Sequence, residues 1–200
     1  MLEKLFGRSK PADPPDSVLT GERLRAVEGS ASAEMAAQYL CAPTALMQFT
    51  MDEALFVVSY MAPRKIPMGT TFIREGDKRD TGFMLLVLDG EVTVENVVVS
   101  RTSPVTVTVL GPGSLIGEMG LLDGEPRSAS CTASTDVRCA TLTRDALEKL
   151  IDENPQIGAK LMMAVSLRIA ERLRDSADKL KMYAQLTQAM QQEIDRLMPT

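Results

Sequence analysis

The stretch Val105-Thr106-Val107-Thr108-Val109-Leu110-Gly111-Pro112-Gly113-Ser114-Leu115-Ile116-Gly117-Glu118-Met119-Gly120-Leu121-Leu122 changes character twice. Its first residues alternate apolar and hydroxyl side chains, a period of two that suits a half-buried strand. Gly111-Pro112-Gly113 breaks that pattern as a turn. Gly117 to Leu122 then sets two glycines beside one carboxylate, and Pro126-Arg127-Ser128-Ala129 follows after a short polar loop. Glycine lets backbone N–H groups approach an anion closely. Arg127 supplies a two-pronged donor for phosphate oxygens. Glu118 accepts hydrogen bonds only, as a sugar hydroxyl requires. Strand, turn and glycine-bearing loop together point to a β scaffold holding a small sugar joined to a phosphate.

Outward from this stretch the period of two persists. Thr71-Phe72-Ile73-Arg74, Phe83-Met84-Leu85-Leu86-Val87-Leu88 and Glu91-Val92-Thr93-Val94 precede it, and Ser128 to Ser134 and Arg138 to Leu142 follow. Breaks at Glu75-Gly76-Asp77 and Asp89-Gly90 separate them. Short strands at even spacing predict a jelly roll, sandwich or closed barrel. The region before them reads as helical. Ala33 to Leu40 is one helix, ending near Pro43, and Thr50 with Glu53 three residues on is a capping-box signature for a second. Residues 1–30 read as a flexible tail, broken by Lys10-Pro11-Ala12-Asp13-Pro14-Pro15-Asp16 and by Gly29-Ser30. Within it, Met1-Leu2-Glu3-Lys4-Leu5-Phe6 has the pattern of a short amphipathic turn.

After the strands, Thr143-Arg144-Asp145 opens a helix with a hydroxyl N-cap and an acid in its first turn. A long helix then runs from about Pro155 to near Leu197. Ile169, Leu173, Ser176, Leu180, Tyr183, Thr187, Met190, Ile194 and Leu197 recur in steps of four and three, and seven of these nine are apolar. That is a coiled-coil seam, most simply covered by a parallel homodimer through residues 155–197, or else by folding back on its own domain. The expected fold class is mainly β with flanking helices (α+β): a β jelly-roll, or double-stranded β-helix barrel, with a long C-terminal dimerisation helix. The expected organisation is a tail over 1–30, a helical segment over 31–63, the barrel over 64–142 and C-terminal helices over 143–200.

Composition narrows the chemistry. The net charge of −5 argues against a dedicated nucleic-acid binder. The chain has no histidine, which removes histidine bases, triads and metal sites. Cys41, Cys131 and Cys139 lack metal-ligand spacing and read as buried free thiols. Thirteen methionines read as adaptable core material. No apolar run is long enough to span a bilayer, so no membrane insertion and a cytoplasmic location are expected. No nucleophile is paired with a base, so no enzymatic activity and no metal are expected.

The ordered set Pro67-Met68-Gly69, Glu75-Gly76-Asp77, Gly90, Gly113, Leu115-Ile116-Gly117-Glu118-Met119-Gly120-Leu121 and Arg127-Ser128-Ala129 resembles the cyclic nucleotide-binding domain shared by catabolite activator proteins, kinase regulatory subunits and nucleotide-gated channels. The resemblance covers roughly Leu46 to Leu180 and is nearest to the bacterial catabolite-activator type. It implies that Gly117, Glu118 and Met119 lead into a short helix whose start favours an anion. It further implies that Arg127 neutralises the phosphate and Glu118 takes the ribose 2′-hydroxyl. Ser128 and the N–H of Ala129 would add contacts, and Val94 and Val107 would form an apolar wall. It places Ser176 where a hydroxyl on the long helix contacts the base across the dimer, the same residue the seam puts at the helix interface. Ala177 stands where a second hydroxyl is expected, so cAMP and cGMP both remain candidate ligands. In catabolite activators a winged helix follows the long helix; here the remaining residues continue the helix, so no DNA partner is expected. The expected function is a stand-alone sensor that signals through its long helix or dimer to an effector protein. The alternative is a ligand-free dimeric scaffold using the same fold and coiled coil.

Overall fold

The structure is a computed structural model that describes residues 17–42, 49–96 and 105–197. It divides into two units, residues 1–161 and residues 162–200. Among the described residues of the first unit three helices, α1 (Ser17–Val27), α2 (Ala31–Leu40) and α3 (Met51–Val58), precede eight strands. The strands are β1 (Ala62–Ile66), β2 (Thr71–Ile73), β3 (Phe83–Asp89), β4 (Val92–Asn96), β5 (Val105–Leu110), β6 (Leu115–Ile116), β7 (Ser130–Ala133) and β8 (Val137–Thr143). A short helix α4 (Glu118–Asp123) interrupts them between β6 and β7, and α5 (Arg144–Glu153) and α6 (Pro155–Leu197) follow.

The strands form two four-stranded antiparallel sheets, ordered β1-β8-β3-β6 and β2-β7-β4-β5. This is the expected jelly roll with flanking helices and a long C-terminal helix. Ile66, Ile73, Leu85, Val87, Val92 and Val137 belong to the core cluster of the strands, with the Cys131 and Cys139 side chains buried among them, whereas Cys41 is only half-buried, a correction to its expected burial. β3 is buried along six of its seven residues because both its faces are covered. Leu85 and Val87 point into that cluster, and α2 packs against β3. Pro63 is accommodated because β1 is an edge strand paired only with β8, where a missing N–H breaks no second ladder.

The local caps form as the sequence predicts. Thr50 Oγ1 accepts from the Glu53 N–H at 3.3 Å while Glu53 Oε2 accepts from the Thr50 N–H at 2.9 Å. Thr143 Oγ1 accepts from the Ala146 N–H at 3.3 Å. Glu53 has a second task. It pairs with Lys160 in the first turns of α6, and this lysine, with the Thr50 N–H, holds the carboxyl below the usual carboxylate range. Glu53→Gln keeps the cap geometry and removes the charge. It is expected to cost about 0.5–1 kcal/mol at neutral pH. A depressed folded pKa contributes stability above the unfolded value of about 4.3 and loses it as pH falls through the folded one. The difference between Glu53→Gln and the parent in urea melts should therefore close in acid. A gap that persists unchanged at pH 3 would show that the charge pair is not its source.

The expected tail over 1–30 is corrected in its second half, where α1 forms. The reason is tertiary. Arg23 Nη2 donates to the Tyr60 hydroxyl at 3.0 Å, pairs with Glu153, and lies 4.4 Å over the Tyr60 ring. Tyr60 is buried and its hydroxyl donates to Glu153. Burial, reinforced by that carboxylate, pushes the phenol well above its ordinary value. The amphipathic turn expected over residues 1–6 lies outside the described residues.

The second unit is the continuation of α6. Leu173, Leu180, Tyr183, Met190, Ile194 and Leu197 are all exposed along it. The expected seam is thus an uncovered apolar row on a single chain.

Candidate functional site

β6 ends the sheet run with Leu115 and Ile116 paired to Leu86 and Leu85 of β3. Gly117 then takes φ 84°, a left-handed conformation that reverses the chain into α4 without a side-chain cap. Leu121 pins the helix to the core at 2% exposure. Gly124, with φ 70°, ends it, and Gly120 O accepts from Arg144 Nη2 at 3.0 Å. The chain returns through residues 124–126, which belong to no helix or strand, to Arg127. There the Arg127 N–H donates to Asp77 O at 3.0 Å and its carbonyl accepts from the Gly76 N–H at 2.8 Å. These two bonds fix where the arginine side chain starts.

The guanidinium runs beneath α4 and is 5% exposed. Nε and Nη2 donate to Asp80 O at 3.1 and 3.0 Å, Nη2 also to Phe83 O at 3.1 Å, and Nη1 to Gly117 O at 2.9 Å. The Phe83 ring lies 4.4 Å from its central carbon. Four of the five N–H groups are therefore spent on described carbonyls, and the fifth is on Nη1. That nitrogen is also the atom the glycines make room for. A Cβ on Gly117 would stand 2.8 Å from Nη1, and one on Gly120 would stand 3.0 Å from it. Burial pushes the guanidinium below its ordinary value, while Asp80, Cys131, Asp77 and Glu118 pull it back. Glu118, the first residue of α4, is 1% exposed. A buried cation and the positive end of a helix meet here, with Glu118 the one carboxylate residue buried among the described residues and Asp77 and Asp80 acting from more exposed positions. That electrostatic setting favours a bound anion.

The other expected site residues fall in three groups. Ser128 Oγ lies 3.9 Å from Met119 Sδ, and both residues are exposed at the edge of the same loop pair, with Ala129 half-buried beside them. Val94 is half-buried against the core cluster, opposite Thr108 of β5 and Cys131 of β7. Val107 has no register partner. Val94 pairs with Thr108 and Glu95 with Thr106, so Val107 is the extra residue of a bulge, and its side chain lies outside the described residues. Ser176 belongs to the second unit, where it is exposed and its hydroxyl donates to Arg172 O at 2.8 Å.

Asp80 and Phe83, which hold the guanidinium, are not among the expected residues. Asp80 acts through its main-chain carbonyl, and a carbonyl leaves no mark on residue type. Phe83 reads from sequence as an ordinary strand residue. On the β2 side of Arg127 lies a cleft of about 110 Å³ that includes Asp77 and Asp80. It is smaller than the roughly 300 Å³ at which small-molecule pockets begin. Among the described residues no three metal-ligating side chains cluster, and no helix is long and apolar enough to cross a membrane.

The sequence profile of the cyclic nucleotide-binding domain matches residues 63–154. The CRP-like cAMP-activated global transcriptional regulator of Mycobacterium tuberculosis is 29% identical over 122 residues, which cover 59% of this chain and 51% of that protein. The chain spans about half the length of such curated relatives. The crystal structure of a cyclic nucleotide-binding domain from Methylobacillus flagellatus superposes with a TM-score of 0.67 at 33% identity, covering 74% of this chain and 81% of that one. The catabolite activator protein of Thermus thermophilus gives a TM-score of 0.58 at 29% identity, covering 73% and 63%. The matched residues are those of the barrel and its glycine–arginine loop, and on that likeness the chain belongs to the cyclic nucleotide-binding domain family.

Proposed function

We propose that this chain is a cyclic-nucleotide sensor that binds rather than transforms its ligand. cAMP is the first choice and cGMP the second. The observation that carries the reading is the convergence of a desolvated guanidinium with an uncapped helix start, with Glu118 buried alongside. In this reading the cyclic phosphate takes the remaining N–H of Arg127 Nη1 together with N–H groups around Gly117 to Met119 and at Ala129. Glu118 accepts the ribose hydroxyl, Ser128 adds a phosphate contact, and Val94 and Val107 flank the base. Ser176 reaches the base from the helix of a second copy. The chain acts as a homodimer through α6 and passes its state to an effector protein.

Calorimetric titration with cAMP and with cGMP tests the ligand. At a hundredfold excess over Kd, binding should stabilise the protein by about 2.7 kcal/mol, a rise in Tm of about 5–11 °C. Neither heat nor a thermal shift with either nucleotide would leave the ligand-free scaffold as the better reading. The dimer has a separate test. Ending the chain at Asp175 removes most of the exposed apolar row, and light scattering should then report a monomer where the full chain gives a dimer. A dimer that survives the truncation would place the contact elsewhere.

A further inference from the structure

A groove that the nucleotide site does not use lies on the helical side of the first unit. Its volume is about 370 Å³, and Leu24 and Val27 of α1, Leu55 and Phe56 of α3 and Ile157 of α6 form its apolar surface. Glu28 and Asp52, both exposed, add carboxylates to its lining. A surface that is apolar inside and acidic at its edge fits a short segment with the opposite design: clustered apolar side chains flanked by cations.

We propose that residues 2–10 of the same chain, Leu2-Glu3-Lys4-Leu5-Phe6-Gly7-Arg8-Ser9-Lys10, occupy this groove. Leu2, Leu5 and Phe6 have the i, i+3, i+4 spacing of helix-in-groove anchors. Lys4, Arg8 and Lys10 supply three cations against the single acid Glu3, matching the carboxylates of Glu28 and Asp52. The reach is sufficient. Ten residues separate Phe6 from Ser17, a span of up to about 33–36 Å when extended. From Ser17 to Val27 the α1 axis rises only about 15 Å. The segment can therefore turn back along α1 to the end that lines the groove. Its own chain holds it near at an effective concentration of about millimolar, which favours it over the same segment of another copy. Ile157 lies in the first turn of α6, so an occupied groove ties residues 2–10 to the root of the helix proposed to carry the output.

The test replaces Phe6 with photoreactive benzoylphenylalanine in the full chain. Unlabelled and nitrogen-15-labelled copies are exchanged together, irradiated, digested and read by mass spectrometry. The expected crosslinks join position 6 to peptides containing residues 24–28 and 52–57, with both linked peptides of one isotope. Mixed-isotope pairs would assign the groove to a second copy and overturn the proposal. Crosslinks elsewhere, or none, would also overturn it. Glu28→Lys with Asp52→Lys, both on exposed positions and away from the nucleotide site, should lower the same-chain yield about fivefold, the factor two exposed ion pairs supply. An unchanged yield would overturn the charge-matched seating.

Discussion

Arg127→Ala is expected to weaken cyclic-nucleotide binding roughly ten- to a hundredfold and to lower Tm by about 6–15 °C at once. The two losses have different origins in one side chain. The affinity loss comes from removing a charged donor to the phosphate. The stability loss comes from three carbonyls, those of Gly117, Asp80 and Phe83, that the guanidinium satisfies in the protein itself. Hydrogen bonds to charged groups contribute about 1.5–3 kcal/mol each, and water entering the vacated space recovers part of that. The stacked Phe83 ring adds a cation–π term. A net loss of about 3–4 kcal/mol follows, against a total stability of roughly 5–15 kcal/mol. The variant should fold, so calorimetry at low temperature can separate binding from unfolding. Arg127→Lys sharpens the reading. One ammonium keeps the charge but cannot reach three carbonyls and a phosphate together. It should recover part of the affinity and little of the stability. Wild-type affinity in Arg127→Ala would remove this residue from the phosphate site. Lost affinity with an unmoved Tm would show that the carbonyl bonds contribute nothing.

What the sequence reveals here is what is local. The Thr50–Glu53 box and the Thr143 cap span only four residues each, and both are in place. Six strands could be read from the sequence, most from alternation and β3 from a continuous apolar run bounded by turn residues, the mark of a strand buried on both faces. β6, with two residues, cannot show a period, and β1 carries Pro63, which argues against a strand until its edge position is known. α1 was hidden for another reason. Its anchor, Arg23, finds Tyr60 and Glu153 at separations of 37 and 130 residues, and no window on the helix contains either. The site divides the same way. The glycines, Glu118 and Arg127 are legible because their spacing is short. The Asp80 and Phe83 carbonyls that aim the guanidinium are not, since every residue has a carbonyl. The bulge at Val107 depends on register between strands, which the pattern of β5 alone does not encode.

Gly117→Ala should be the most damaging single-methyl change in the loop. An alanine at φ 84° is strained whatever surrounds it, by about 1–2 kcal/mol. The surroundings add to this. The new Cβ would stand 3.0 Å from Phe83 O and 3.3 Å from Ile73 Cδ1, besides its 2.8 Å approach to Arg127 Nη1. Phe83 O is main chain of β3, an interior strand paired on both sides, and has little freedom, so the guanidinium is the group that must give. A combined cost of about 2–4 kcal/mol is expected, with affinity for cyclic nucleotide reduced about tenfold or more because Nη1 is displaced. Gly120→Ala separates backbone strain from crowding. Gly120 is helical without a positive φ, yet its Cβ would also come within 3.0 Å of Nη1 and 3.1 Å of Thr81 O. It should cost less stability, about 1–2 kcal/mol, while weakening binding to a similar degree. Matched affinity losses with unequal Tm losses would identify Nη1 as the donor that faces the phosphate. A Gly120→Ala protein that binds as tightly as the parent would show that the ligand meets Arg127 through another nitrogen, which requires one of the four carbonyl bonds to be exchanged on binding.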